Sequence, residues 1–208
     1  MRSIAKLMKD WQFTGPNGVT TAVELPHTWN ARDGQDGGND YWRGCCTYCT
    51  RFAAPVYDPA QQQVWLQFEG VNASAAVLLN GQQLCTHDGG YSTFRAEITE
   101  LLQAENQLTV RVDNSVNDRV YPQKADFTFY GGIYRDVSLL VVNKNHIALG
   151  HFGDTGVKIT PALQENSADI RVETLVEGSG TVTVELLDAE GRTAAKGEGE
   201  NTFLHLDA

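Results

Sequence analysis

Helical periodicity is almost missing from this chain of 208 residues, and no apolar run approaches the length of a membrane-spanning helix, about 18 residues. Basic residues are scarce, with 16 Lys and Arg against 26 Asp and Glu for a formal net charge of −10. A nucleic-acid partner needs clustered Lys and Arg to displace counterions, so none is expected. The phosphate-cradling Gly-x-x-x-x-Gly-Lys pattern does not occur. Gly178-Ser-Gly180 falls short of a Gly-x-Ser-x-Gly nucleophile elbow and is predicted to be a hairpin turn. The N-terminus, Met1 to Trp11, carries positive charge without the apolar core of a signal peptide, so a cytoplasmic location and no membrane partner are expected.

Cysteine is limited to four positions, three of them bunched as Cys45, Cys46 and Cys49. Cys46-Thr-Tyr-Cys49 matches a C-x-x-C redox or zinc pattern, but its surroundings read as a strand. Cys46, Tyr48 and Phe52 would then share one face, with Cys45, Thr47 and Cys49 on the other. Cys45 and Cys49 would sit roughly 13 Å apart, beyond disulfide reach. Free thiols used as small hydrophobes are expected. His27 and His87 show no metal-ligand spacing. The Asp33–Asp40 loop is rich in oxygen ligands, but Gly44 stands where an EF-hand has its closing Glu. No metal or cofactor is predicted. Asn72-Ala-Ser74 is read as a chance glycosylation sequon.

What is present is a series of short strands at spacings of roughly ten residues, the pattern of a β-sandwich or barrel. Trp11–Phe13 begins one strand and Gly15-Pro-Asn-Gly18 turns it. Val23–Trp29 is extended, because the residue before Pro26 is pushed out of the α region. Val64, Leu66 and Phe68 alternate with Trp65, Gln67 and Glu69. Asn80-Gly81 between apolar runs is a strong hairpin signal, since both central residues need positive φ. Phe94–Leu102 has room for one helical turn, and Leu108, Val110 and Val112 point inward from another strand. Val137–Val142 closes this series.

A polar linker, Asn143-Lys-Asn-His146, follows, giving domains at 1–143 and 147–208. The second has strands around Val157–Thr160, Ile170–Val176, Val182–Leu186 and Phe203–Leu206, with a turn at Glu190-Gly191. About sixty residues is short for an immunoglobulin-like sandwich of roughly 100. Exposed strand edges and self-association into a homo-oligomer are expected there.

Seven short motifs stand in a fixed order: Leu25-Pro-His-Thr-Trp29, Tyr41-Trp-Arg-Gly44, Phe68-Glu-Gly-Val71, Leu79-Asn-Gly81, His87-Asp-Gly-Gly-Tyr91, Val112-Asp-Asn-Ser115 and Asp126–Val137. Together they resemble the N-terminal part of glycoside hydrolase family 2, the β-galactosidase and β-glucuronidase family. The resemblance implies an all-β chain: a galactose-binding-like jelly-roll sandwich to about Val142, then a partial immunoglobulin-like sandwich. The Gly-rich loop and the Asp126-Phe-Thr spelling look closest to bacterial β-galactosidases.

In that family hydrolysis is retaining, with two glutamates about 5 Å apart on a (β/α)₈ barrel of about 250 residues. The family's acid/base lies in an Asn-Glu pair, and no such dipeptide occurs in these 208 residues. The resemblance therefore implies a non-catalytic N-terminal fragment of a β-galactosidase-type enzyme, which braces the absent barrel and completes its active-site wall. A stand-alone carbohydrate-binding module is the alternative. Asp126 matches an aspartate that reaches the sugar from this domain, and Asn39 or Asp40 matches a polar residue that does likewise. A carboxylate accepting two hydroxyl hydrogen bonds reads their orientation. The blander reading leaves Asp126 capping a turn and Asp40 in a solvated loop. Phe127, Phe129 and Tyr130 are expected to pack against the barrel, and Arg135 to pair with Asp136.

Overall fold

The computed structural model describes residues 2–31, 41–121, 128–150 and 153–207. Among them there are nineteen strands and one 3₁₀ turn, Thr99–Leu101, with no α-helix. The chain divides into two compact units, Met1–Val142 and Asn143–Ala208.

The first unit contains β1 (Ser3–Lys6), β2 (Trp11–Thr14), β3 (Thr20–Val23), β4 (Cys45–Ala53), β5 (Gln62–Phe68) and β6 (Val71–Asn72). It continues with β7 (Ser74–Leu79), β8 (Gln82–Asp88), β9 (Phe94–Glu97), β10 (Glu105–Asp113), β11 (Gly132–Ile133) and β12 (Val137–Asn143). One sheet runs β1-β12-β5-β9, a second runs β3-β2-β4-β10-β7-β8, and β6 pairs with β11. This is a jelly-roll sandwich. Its core comes from period-two alternation: Tyr48 on β4, Val64, Leu66 and Phe68 on β5, and Leu108, Val110 and Val112 on β10 are all fully buried. Each such side chain contributes about 1.5–3 kcal/mol through burial.

Cys46 lies in that core while Cys45, one residue away, is exposed, as the face reading requires. Burial, then the neighbouring Cys45 and Asp113, push the Cys46 thiol up to about 12, so it stays protonated and inert at neutral pH. Asn80 and Gly81 take φ of 52° and 84° between β7 and β8, the positive values the hairpin demanded. Asp136 corrects one expectation: its partner is Lys6 of β1 at 2.5 Å, whereas the Arg135 guanidinium lies 5.5 Å from the Tyr134 ring centre. Arg135 sits at a bend, while Lys6 faces Ser138 across the β1–β12 ladder, which brings its ammonium to Asp136 just before β12.

β10 fixes the two ends of the larger sheet. Asp113 lies beside Cys45 and Ser74 at one end, and Glu105 lies beside Ala53 at the other.

In the second unit β13 (His146–Ile147) pairs with β16 (Val176–Glu177). β14 (Val157–Leu163), β15 (Ser167–Thr174) and β19 (Asn201–Asp207) form a three-stranded sheet, and β17 (Thr183–Leu187) pairs with β18 (Thr193–Glu198). Gly178-Ser-Gly180 is not a hairpin turn. It joins strands of two different sheets, and Ser179 N–H donates to Asn145 Oδ1 at 3.0 Å. β14 is an edge strand on which Ile159 and Leu163 are exposed.

Candidate functional site

The end of the first unit near Asp113 gathers five of the motifs around the segment Thr128–Ile133. Three buried asparagines grip that segment by its main chain. Asn30 Oδ1 accepts the Gly131 N–H at 2.8 Å and an amide N–H of Asn114 at 3.2 Å, while its Nδ2 donates to the Trp42 carbonyl at 2.9 Å. Asn114 Nδ2 donates to the Phe129 carbonyl at 3.4 Å, and its Oδ1 accepts the Gly44 N–H at 2.9 Å. Asn72 Nδ2 donates to the Tyr130 carbonyl at 2.8 Å. Thr28 Oγ1 adds a bond to the Gly131 carbonyl at 2.7 Å, and His27 N–H one to the Ile133 carbonyl at 2.8 Å. Ahead of the short β6–β11 ladder, residues 128–131 are irregular, so side-chain amides satisfy main-chain groups that no strand pairs.

Two glycines make the approach close enough. A Cβ on Gly131 would stand 2.1 Å from the Trp29 indole and 2.7 Å from Asn114 Nδ2. Gly132 sits at φ +136°, where a Cβ would also meet the His27 carbonyl at 2.4 Å. Trp29 is itself fixed by aromatic neighbours, stacked on Phe13 with ring centres 6.0 Å apart and edge-on to Trp42 at 6.0 Å.

The expected sugar contacts Asp126, Asp40 and Asn39, together with Phe127, lie outside the described residues. Their described neighbours meet. Phe129 N–H donates to the Tyr41 hydroxyl at 3.2 Å, and the same hydroxyl accepts from the Arg43 guanidinium. That guanidinium lies 4.7 Å from the Tyr41 ring centre and 5.5 Å from that of Phe129. Phe129 is buried within this chain, which corrects its expected role as a surface for the barrel, while Tyr130 is 39% exposed. Beside this segment is a pocket of about 280 Å³ lined by Asn72, Tyr91, Thr128, Tyr130 and Tyr134. The Tyr134 hydroxyl donates to the Gly90 carbonyl, and a Cβ on Gly90 would strike Asn72 Oδ1 at 2.1 Å. A larger groove of about 580 Å³ lies at the opposite end, near Arg51 and Glu105. Its asparagines, Asn80 and Asn106, bond each other and nearby backbone.

Two partly buried histidines couple the first unit to pH. Burial lowers the pKa of His27, whose Nδ1 is 2.8 Å from the Tyr48 hydroxyl, and burial likewise lowers that of His87. The unfolded chain therefore takes up protons first, near 6.5, and folding becomes less favourable as pH falls below that value. Asp88, held low chiefly by the Ser74 hydroxyl and also by Arg119, loses its contribution only as pH falls through its own still lower range, below 3.8. Urea denaturation of the first unit should thus show a falling midpoint between pH 7 and about 4.5, with the decline reduced in His27→Gln. A flat midpoint across that window would remove the histidines from the account.

The loops, clamp and jelly roll form one recognisable arrangement, and residues 38–162 match the sequence profile of the glycosyl hydrolase 2 galactose-binding domain-like family. The chain belongs to that family. A β-glucuronidase of Bacteroides fragilis is 33% identical over 212 residues, covering 97% of this chain and 30% of that enzyme. A β-galactosidase of Thermoanaerobacterium thermosulfurigenes is 42% identical over 132 residues, 61% of this chain and 17% of that enzyme. The crystal structure of an FMN-binding β-glucuronidase from Facaelibacterium prausnitzii L2-6 superimposes with a TM-score of 0.92 at 34% identity, covering 100% of this chain and 34% of that one. The chain thus spans 17–34% of the length of these relatives.

The sequence pointed to Asp126, Asp40 and Asn39 but missed the clamp. Asn30 directly follows Leu25–Trp29, and Asn114 lies inside Val112–Ser115, so proximity to aromatic and glycine-rich motifs was the available signal.

Proposed function

We propose that this chain is the N-terminal, non-catalytic part of a retaining β-glycosidase, supplying one wall of the active site and bracing a catalytic barrel. Family membership over residues 38–162 carries this reading. The lack of an Asn-Glu pair in the 208 residues agrees with it, because the two catalytic glutamates then belong to another part of the enzyme. In this reading Asp126, with Asn39 or Asp40, accepts hydroxyl hydrogen bonds from the terminal sugar, and the asparagine clamp holds the adjoining Thr128–Ile133 segment. A stand-alone carbohydrate-binding module is the competing reading; it predicts that the full-length gene product hydrolyses nothing.

Two terminal sugars compete. The spelling of Asp126-Phe-Thr favours a β-galactoside. Glucuronidases align along 97% and 100% of this chain, against 61% for the galactosidase above and 99% for a putative β-galactosidase of Bacteroides fragilis, a balance that leans to a β-glucuronide. We take the second as the stronger support. Nitrophenyl β-glucuronide and β-galactoside, offered to the full-length gene product, test both points at once. Release of nitrophenol from either confirms a glycosidase, preference for the glucuronide is expected, and inactivity on all β-glycosides would sink the reading.

A further inference from the structure

We propose that the pocket formed by Tyr91, Tyr130 and Tyr134 is a subsite for one neutral six-membered ring. The proposal builds on the glycosidase reading in one respect: it assigns the ring to the leaving group, the part of the substrate attached to the released terminal sugar.

Size gives the first argument. At about 280 Å³ the pocket lies near the lower end of ligand cavities, room for a single ring and not for a disaccharide. Chemistry gives the second. Three tyrosines, one threonine and one asparagine line it, so aromatic faces surround a few polar groups. A pyranose offers C–H patches to such faces, and a phenolic ring offers its own face and edge. Tyr91 is 54% exposed and Tyr130 39%, so both rings are accessible from solvent.

Charge gives the third argument, and it sets the ring's identity. Among the described residues no Lys, Arg, Asp or Glu lines the pocket. A uronate carboxylate placed there would lose hydration, and the Arg135 guanidinium, 5.5 Å from the Tyr134 ring centre, is not among the described lining residues. A glucuronide substrate therefore places its neutral part here and its charged sugar elsewhere. The walls are also held in place before any ligand arrives. Tyr134 is tied to the Gly90 carbonyl, and Asn72 to the Tyr130 carbonyl at 2.8 Å. Binding then costs little reordering of the walls.

The test is a titration of the 208-residue chain, followed by NMR of its tyrosine rings, with methyl β-glucopyranoside, phenol and glucuronate as separate probes. Saturable millimolar shifts at Tyr91, Tyr130 and Tyr134 are expected with a neutral ring, and weaker ones with glucuronate. The sugar arm and the phenol arm show which source of ring fits better. Tyr91→Ala and Tyr130→Ala should each weaken binding about 3- to 10-fold. Thr128→Trp, which fills the pocket without removing a tyrosine, should abolish it. No saturable shift with either neutral probe would overturn the proposal, as would an equal response to glucuronate or undiminished binding in Thr128→Trp. Hydrolysis by the full-length gene product is a separate measurement, so the glycosidase reading can fail while the pocket stands, and the reverse.

Discussion

Asn30→Ala is expected to destabilise the first unit by about 3–5 kcal/mol, one of the largest losses available to a single side chain outside the apolar core. Asn30 is fully buried and serves three groups: the Gly131 N–H, the Trp42 carbonyl and the Asn114 amide. Alanine leaves all three in place and removes their partner. Each orphaned group keeps its desolvation penalty of about 1–3 kcal/mol, and local relaxation recovers part of the sum. Asn30→Asp gives a sharper comparison. It keeps the two acceptor bonds, loses the donor to Trp42, and buries a charge, so it should also be destabilising, and increasingly so as pH rises and the carboxylate ionises. Urea unfolding at constant slope measures both variants. A loss below about 1 kcal/mol for Asn30→Ala would mean that water replaces the amide and that the clamp does not hold the segment.

Asp126→Ala in the full-length gene product should lower kcat/KM on the preferred glycoside by about 2–4 kcal/mol, roughly 30- to 1000-fold. The size follows from removing a charged hydrogen-bond acceptor that reads a sugar hydroxyl during reaction. Thermal unfolding should hardly change, since the neighbouring segment Thr128–Ile133 is held by Asn30, Asn72 and Asn114. The same clamp makes the variant informative, because lost activity with an intact fold isolates a substrate contact. Asp40→Ala should have a smaller effect of the same kind. Full turnover in Asp126→Ala would leave the jelly roll as a brace with no ligand contact.

Much of the fold was legible because strands write their burial into alternate residues. β4, β5 and β10 each did so, and Asn80-Gly81 announced its own turn. β18 did not. Its sequence, Thr-Ala-Ala-Lys-Gly-Glu, has weak strand propensity, and it is held by pairing with β17. β1 also went unread, since all four of its residues are exposed and its order comes from the ladder with β12. The candidate site was half legible for a different reason. Motif order identified the segments, but the clamp is made across distance: Asn30 and Gly131 are 101 positions apart, and Asn114 and Gly44 are 70 apart. A buried asparagine that bonds to remote backbone looks, in sequence, like any polar loop residue.

The clamp grips carbonyls and N–H groups, and every residue type except proline offers both. Tyr130 can therefore change identity while the path of the chain stays fixed. The glycines at 131 and 132 have no such latitude, because the indole and a carbonyl occupy the space a side chain would need. The segment thus separates into an interchangeable half and an immutable half. Side-chain identity can drift at the first without the domain having to be refolded around each new choice.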